Sequence, residues 1–104
     1  MIAKYPRNKV IAIDVDGTLF KDGRVNTELV HHIGGWAAEG YEIIIWSARG
    51  TAHAQKAAHM LGVEHLCAAI ISKPGYIVDD KGWAWTKYTK RLTAHNAGQK
   101  PCQE

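Results

Sequence analysis

The stretch Val10-Ile-Ala-Ile-Asp14-Val-Asp16-Gly-Thr-Leu19 determines how the rest of the chain is interpreted. Its first four residues are apolar, which predicts a buried strand. This strand does not end in a turn or a helix cap but runs into two carboxylates, Asp14 and Asp16. Two like charges at the end of an apolar strand repel each other and are costly to desolvate, so a purely structural role is hard to assign. A hard divalent cation such as Mg²⁺, which prefers oxygen ligands, would resolve the repulsion.

Length and composition indicate one small domain. The chain has 104 residues, of which 46% are apolar, and this is enough for one packed core. Its net charge of +3 would help to attract an anionic substrate but does not establish nucleic-acid binding. The longest apolar run, residues 41–46, is too short to cross a bilayer, and the N-terminus lacks the apolar segment of a signal peptide. We therefore expect a cytoplasmic protein without a membrane partner, in which Cys67 and Cys102 are free thiols.

Apolar runs alternate with helical patterns along most of the chain. Strands are predicted at residues 10–15, 41–46, 66–71 and 76–78, and helices at about 27–39 and 52–61. Asp22-Gly23 indicates a tight hairpin turn before the first helix. Residues 83–95 are expected to form a last helix and residues 96–104 a mobile tail. Strands that alternate with helices imply an α/β domain, with a parallel sheet and helices on both of its faces.

Polar residues punctuate the ends of the predicted strands. In parallel sheets, ligands bind outside the carboxyl ends of the strands, so these residues are expected to converge on one edge. They are Asp14 and Asp16 after the first strand, Ser47 after the second, Lys73 after the third, and Asp79 and Asp80 after the fourth.

This set of residues matches the needs of phosphate-ester hydrolysis, which requires a nucleophile, a proton source and neutralisation of negative charge. Asp14 is suited to attack phosphorus and form an aspartyl-phosphate. Asp16 is placed to protonate the leaving alkoxide and then to activate water, a contribution worth roughly 10²- to 10⁴-fold. Asp80, with Asp79, would complete a Mg²⁺ site that shields the carboxylates from each other. Ser47 and Lys73 would bind the phosphate oxygens, and the backbone N–H groups after Asp14 and Ser47 would add further donors.

The chain resembles the haloacid dehalogenase superfamily of phosphatases over about residues 9–82. The resemblance lies in four motifs in the family's order, namely Asp14-Val-Asp16-Gly-Thr18, Ile44-Ile-Trp-Ser47, Lys73 and Val78-Asp-Asp80. It implies a minimal Rossmann-like parallel sheet of about four strands in the order 4-1-2-3.

The same resemblance implies a role for each matched residue. Asp14 would be the nucleophile and a metal ligand, and Asp16 the acid and base, whose backbone carbonyl also faces the metal. Ser47 and Lys73 would hold the phosphoryl group. The paired acids of the last motif would hold Mg²⁺, with Asp80 as the direct ligand and Asp79 close by.

The connections between the motifs are too short for the cap domain that many members of this family carry. Residues 19–26 leave room for a hairpin, and residues 50–72 for one helix and one strand. An open site suits a phosphate on a bulky substrate, such as a nucleic-acid end, a protein or a glycan precursor. Alternatively, a second subunit of a homo-oligomer could cover a small metabolite.

Several residues have two interpretations from the sequence. Arg49 could contact substrate phosphate or form a surface ion pair. The histidines, His53 among them, lack zinc-site spacing and are interpreted as surface residues. The aromatic and basic segment 81–91 could stack on a nucleic-acid strand, or it could pack Trp83 or Trp85 against the sheet.

The preferred function is a Mg²⁺-dependent phosphomonoester hydrolase with an aspartyl-phosphate intermediate. The alternatives are a phosphate-binding or regulatory module with weak turnover, and a phosphatase that acts on nucleic-acid 3′ ends.

Overall fold

A computed structural model describes residues 6–92, which form one parallel sheet, a hairpin and two α-helices. In chain order the elements are β1 (Val10–Asp14), β2 (Phe20–Lys21), β3 (Arg24–Val25), α1 (Thr27–Ala38), β4 (Glu42–Ser47), α2 (Thr51–Met60) and β5 (Cys67–Ser72). Two 3₁₀ segments, Glu64–Leu66 and Gly82–Tyr88, follow α2 and β5 respectively. No helix in this part of the chain has the length and apolar character needed to span a membrane.

The sheet has three parallel strands in the order β1-β4-β5. Ile13 pairs with Ile45, which in turn pairs with Ile70, so all three strands end at the same edge of the sheet. The α/β fold class and the minimal Rossmann-like sheet expected from the sequence are therefore confirmed. The connection between β1 and α1 contains only the β2–β3 hairpin, and the connection between β4 and β5 only α2 and one 3₁₀ turn.

One face of the sheet carries the core. Ile43 and Ile45 are fully buried there and belong to a single apolar cluster with residues of both helices. The helix residues in this cluster are Leu29, Ile33 and Trp36 of α1 and Ala54, Ala57 and Ala58 of α2. The alanines let α2 approach the strands closely.

The expectation that helices cover both faces is wrong for residues 6–92. The two crossovers, β1 to β4 and β4 to β5, step across the sheet in the same direction, and right-handed crossovers of this kind place their helices on the same face. The opposite face, which carries Ile44 and Trp46, is only half-buried.

The fourth strand expected at residues 76–78 is not formed, so the sheet lacks the first position of the predicted order 4-1-2-3. Tyr76 is 95% exposed, and Val78 is fully exposed. A crossover to another parallel strand takes about a dozen residues, whereas only residues 73–75 separate β5 from this segment. The chain is therefore too short at this point to return to the start of the sheet and pair beside β1.

The hairpin and the first helix form as the sequence predicts. Asp22 and Gly23 have positive φ values of 53° and 74°, which match the two central residues of a type I′ turn. The Asn26 side chain accepts a hydrogen bond from the Leu29 N–H at 3.1 Å and caps α1.

The C-terminal part of the described chain differs from the prediction. In place of an α-helix from residue 83, a 3₁₀ segment spans Gly82–Tyr88, and the indoles of Trp83 and Trp85 are exposed, not packed on the sheet. Residues 93–95 of the predicted helix and the predicted tail, 96–104, lie outside the described residues.

Candidate active site

The loop after β1 presents Asp16 at the edge of the sheet. The Val15 carbonyl accepts hydrogen bonds from the N–H groups of residues 18, 19 and 20, at 3.2, 2.9 and 3.1 Å, and this closes a tight turn. Val15 and Leu19 are fully buried and anchor the two ends of the turn in the core. Gly17, with a φ of 82°, supplies the left-handed conformation that the turn needs. Asp16 is thereby held out of the core with its carboxylate exposed.

The Asp14 carboxylate has a cation on one oxygen and a hydroxyl on the other. Lys73 Nζ lies 3.2 Å from Asp14 Oδ1, and Thr18 Oγ1 donates to Asp14 Oδ2 at 3.3 Å. The Asp14 side chain is 33% exposed and the Lys73 side chain 41%, so both can be reached from solvent. The structure thus brings together the predicted nucleophile and the predicted phosphate-binding lysine, although Lys73 is 59 positions further along the chain.

Asp16 is held by a separate set of side chains at the start of α2. His53 Nε2 lies 3.1 Å from Asp16 Oδ2, and Arg49 Nη1 lies 3.4 Å from Asp16 Oδ1. Arg49 therefore forms an ion pair, one of its two interpretations from the sequence, and its partner is Asp16, the predicted acid and base. His53 lies at the surface, as interpreted from the sequence, with its side chain 27% exposed, but it also contacts a site carboxylate.

Ser47 and Lys73 owe their positions to the ends of β4 and β5. The Lys73 N–H donates to the Ser47 carbonyl at 2.9 Å, which extends the strand ladder by one bond and directs Lys73 toward β1. Ser47 is only 1% exposed, and its Oγ accepts a hydrogen bond from the Arg49 N–H at 3.0 Å. Within residues 6–92 its O–H hydrogen has no acceptor. Thr51 Oγ1 accepts from the Ser72 N–H at 2.9 Å and ties the start of α2 to the end of β5.

Asp79 and Asp80 are not brought to this cluster in the described structure. Both are exposed, and Asp79 Oδ1 accepts a hydrogen bond from the Lys81 N–H at 2.8 Å within its own loop. They do not reach the carboxyl edge of the sheet because the strand that would carry them there is not formed. Their assignment as metal ligands stays a prediction.

The oxygen atoms of the site are of the type that Mg²⁺ binds, although in the described residues they are not arranged around one common point. Asp14 and Asp16 offer carboxylate oxygens at a solvent-accessible edge, which is the ligand type that this cation prefers. Within residues 6–92, however, no group of three or more acidic, histidine or cysteine side chains is arranged to hold a metal ion.

Sequence reasoning missed the contact between His53 and Asp16. The one weak signal was that Arg49 and His53 lie close together in the sequence, just before α2 and within its first turn. The partner of both lies 37 positions before His53, however, and no local pattern reveals that pairing.

Cys67 lies away from this edge and is a free thiol, as expected from the sequence. Burial raises the pKa of the Cys67 thiol, and the nearby Glu64 carboxylate raises this pKa further. The other cysteine, Cys102, lies outside the described residues.

Comparison with known proteins gives the family. The sequence matches the haloacid dehalogenase-like hydrolases over residues 11–99, which is most of the chain. The chain belongs to this family. No curated protein and no solved structure matches it. Membership in the haloacid dehalogenase-like hydrolases supports hydrolase activity, and the paired aspartates, the lysine and the serine lie in the part of the chain that the match covers.

Proposed function

We propose that this protein is a Mg²⁺-dependent phosphomonoester hydrolase that acts through an aspartyl-phosphate on Asp14. The observation that supports this proposal most strongly is the different environment of the two aspartates. Asp14 has a lysine ammonium at 3.2 Å, where an incoming phosphate would also need a cation. Asp16 lies apart from it, between Arg49 and His53. One carboxylate is therefore suited to attack phosphorus and the other to exchange protons.

In the first step an Asp14 carboxylate oxygen bonds to phosphorus as the bond between phosphorus and the leaving oxygen breaks. Asp16, in its protonated form, transfers its proton to that oxygen, so the product leaves as a neutral alcohol. Lys73 neutralises a phosphoryl oxygen while charge builds up on the group. The Ser47 hydroxyl donates to a second phosphoryl oxygen.

In the second step Asp16 acts as a base. It accepts a proton from water while the water oxygen attacks phosphorus, and the bond between phosphorus and Asp14 breaks to regenerate the free carboxylate. His53, hydrogen-bonded to Asp16, keeps this carboxylate oriented through both proton transfers.

Asp14, the backbone carbonyl of Asp16, and Asp80 with Asp79 beside it are the residues proposed to hold Mg²⁺. When bound, this cation would reduce the repulsion between the carboxylates and the phosphate dianion.

The direct test is hydrolysis of para-nitrophenyl phosphate by the native chain and by Asp14→Asn, each with Mg²⁺ and with a chelator. We expect turnover that needs Mg²⁺ and disappears in Asp14→Asn. The matched control is Asp22→Asn, the same chemical change in the exposed hairpin turn, where asparagine tolerates the positive φ of 53°. Turnover by Asp14→Asn at the native rate would reject the mechanism.

A phosphate-binding module with little turnover is the second candidate. The exposed position of Asp79 and Asp80 favours it, because a site without these ligands would bind phosphate without holding the metal firmly. Thermal stabilisation by phosphate and Mg²⁺, without hydrolysis of any ester tested, would support this candidate over the first.

A further inference from the structure

We propose that the groove along α2 binds the leaving group of the substrate, and that this leaving group carries a second phosphate and a flat apolar ring, as a nucleotide does. The inference rests on the proposed phosphatase function. The substrate class is inferred from the groove along α2, most of whose lining residues have no part in the proposed reaction.

The groove begins at Asp16 and runs beside α2, with an open volume of about 330 Å³. Its lining includes Asp16, Phe20, Arg49, His53, Lys56 and Met60. Positions 53, 56 and 60 are spaced by three and four residues, which places them along one face of α2, and Arg49 lies in the loop just before the helix. From His53 to Met60 this face is about 10 Å long at 1.5 Å per residue.

The position of Asp16 determines which part of a substrate occupies the groove. Asp14, at the end of β1, is not among the residues that line the groove, whereas Asp16 is, and the bond that breaks points away from the nucleophile. The group that receives a proton from Asp16 is the leaving oxygen, so the organic part of the ester extends from Asp16 into this groove.

The charge of the groove favours an anionic leaving group. Arg49 and Lys56 contribute two positive charges to the lining, against the single carboxylate of Asp16. Arg49 lies against Asp16, but within the described part of the chain no carboxylate pairs with Lys56. The exposed Lys56 ammonium lies one turn of α2 beyond His53, the partner of Asp16. It is suited to bind a second phosphate on the same substrate.

The apolar part of the lining favours a ring. Phe20 from the hairpin lines the groove, as does Met60, whose side chain is largely exposed to solvent. An unbranched thioether adapts to a flat partner and makes favourable sulfur–aromatic contacts. Cations beside an exposed apolar side chain match a phosphorylated base better than they match a sugar phosphate alone.

The test measures binding by the full-length Asp14→Asn protein, which cannot complete turnover. Dissociation constants are determined by calorimetry for adenosine 3′-monophosphate and adenosine 3′,5′-bisphosphate. We expect the bisphosphate to bind about tenfold more tightly or better, the effect of one charge-assisted contact. Adding Lys56→Gln should bring the ratio of the two constants close to one. The charge-matched control is Lys9→Gln, at the amino end of β1 and far from the groove, which should keep the ratio.

Further ligands separate the components of the proposal. The abasic sugar bisphosphate should bind several-fold more weakly than the nucleotide, and equal binding would reject the ring. A 3′-phosphorylated trinucleotide that binds more tightly than the bisphosphate would identify the end of a strand as the source of this chemistry. Weaker binding of the trinucleotide would identify a free nucleotide.

The outcomes also separate this inference from the proposed function. Hydrolysis of para-nitrophenyl phosphate by the native chain, with equal binding of the two adenosine ligands or with no effect of Lys56→Gln, would overturn the inference and leave the phosphatase intact. If the native chain hydrolyses neither para-nitrophenyl phosphate nor the adenosine ligands but shows a binding preference for the bisphosphate that depends on Lys56, the groove would be supported and the phosphatase rejected. Failure of both adenosine ligands to bind would overturn the inference.

Discussion

Removal of the Lys73 ammonium tests the charge arrangement around Asp14. The two charges are 3.2 Å apart, so Coulomb's law gives about 1.3 kcal/mol at the dielectric constant of water and about 5 kcal/mol at an effective value of about 20. The two side chains are 41% and 33% exposed, so the effective dielectric constant lies toward that of water. We therefore use an interaction energy of about 1–3 kcal/mol for the pair. A phosphoryl oxygen in the same position would feel the same field. Because each 1.4 kcal/mol is about tenfold in rate, Lys73→Ala should lower kcat/KM by about 5- to 150-fold.

The assay is hydrolysis of para-nitrophenyl phosphate with Mg²⁺ at physiological ionic strength, where an exposed pair is already partly screened. Lys73→Arg should recover part of the loss because it keeps the charge. Lys21→Ala, which removes an exposed lysine of the hairpin, should have little effect. Thermal unfolding of Lys73→Ala should change little, since an exposed ion pair contributes at most about 1 kcal/mol. A loss of less than twofold in Lys73→Ala, or an equal loss in Lys21→Ala, would refute this reasoning.

Three further predictions concern the fold. Ile45→Ala should lower the free energy of unfolding by about 2–5 kcal/mol in urea titrations, because it leaves a cavity in the core, whereas Ile71→Ala on the exposed face should cost far less. Asn26→Ala should cost about 1 kcal/mol of stability in thermal unfolding through loss of the α1 cap, and an unchanged midpoint would contradict the cap. In a Cys102→Ser background, Cys67 should react slowly with iodoacetamide near neutral pH and faster in urea, because its raised pKa keeps the thiol protonated in the folded state. The same raised pKa implies that stability falls as the pH rises from the ordinary thiol pKa toward that of Cys67, since the unfolded chain ionises first.

The sequence was most informative where one local pattern determines one element. The apolar run before Asp14 predicts β1, and Asp22-Gly23 predicts the type I′ turn, because these features depend on neighbouring residues alone. The fourth strand was predicted from its apolar composition and its acidic ending. Composition does not reveal the distance that the chain must travel, and residues 73–75 are too few for a parallel crossover. The positions of Asp79 and Asp80 depend on that strand, so in the described structure both residues lie exposed in a loop and not at the carboxyl edge of the sheet.

The two aspartates and the roles proposed for them were recognisable from the sequence, but the separate sets of side chains that contact them were not, because these side chains come from different crossovers. Lys73 reaches Asp14 because β5 pairs with β4, and the Lys73 N–H adds one more hydrogen bond to this pairing by donating to the Ser47 carbonyl. His53 reaches Asp16 because α2 begins immediately after β4, across the edge from the loop after β1. Asp14, the proposed nucleophile, is therefore contacted from the end of a strand, whereas Asp16, the proposed acid, is contacted from the helix face that begins at His53. Only that helix face continues into the groove proposed for the leaving group. Substitutions farther along the face would change which ester binds and leave the contact between Lys73 and Asp14 in place. In the proposed enzyme, substrate choice would thus be separable from the phosphoryl chemistry, with the proposed groove along α2 in the selective role that a cap would otherwise fill.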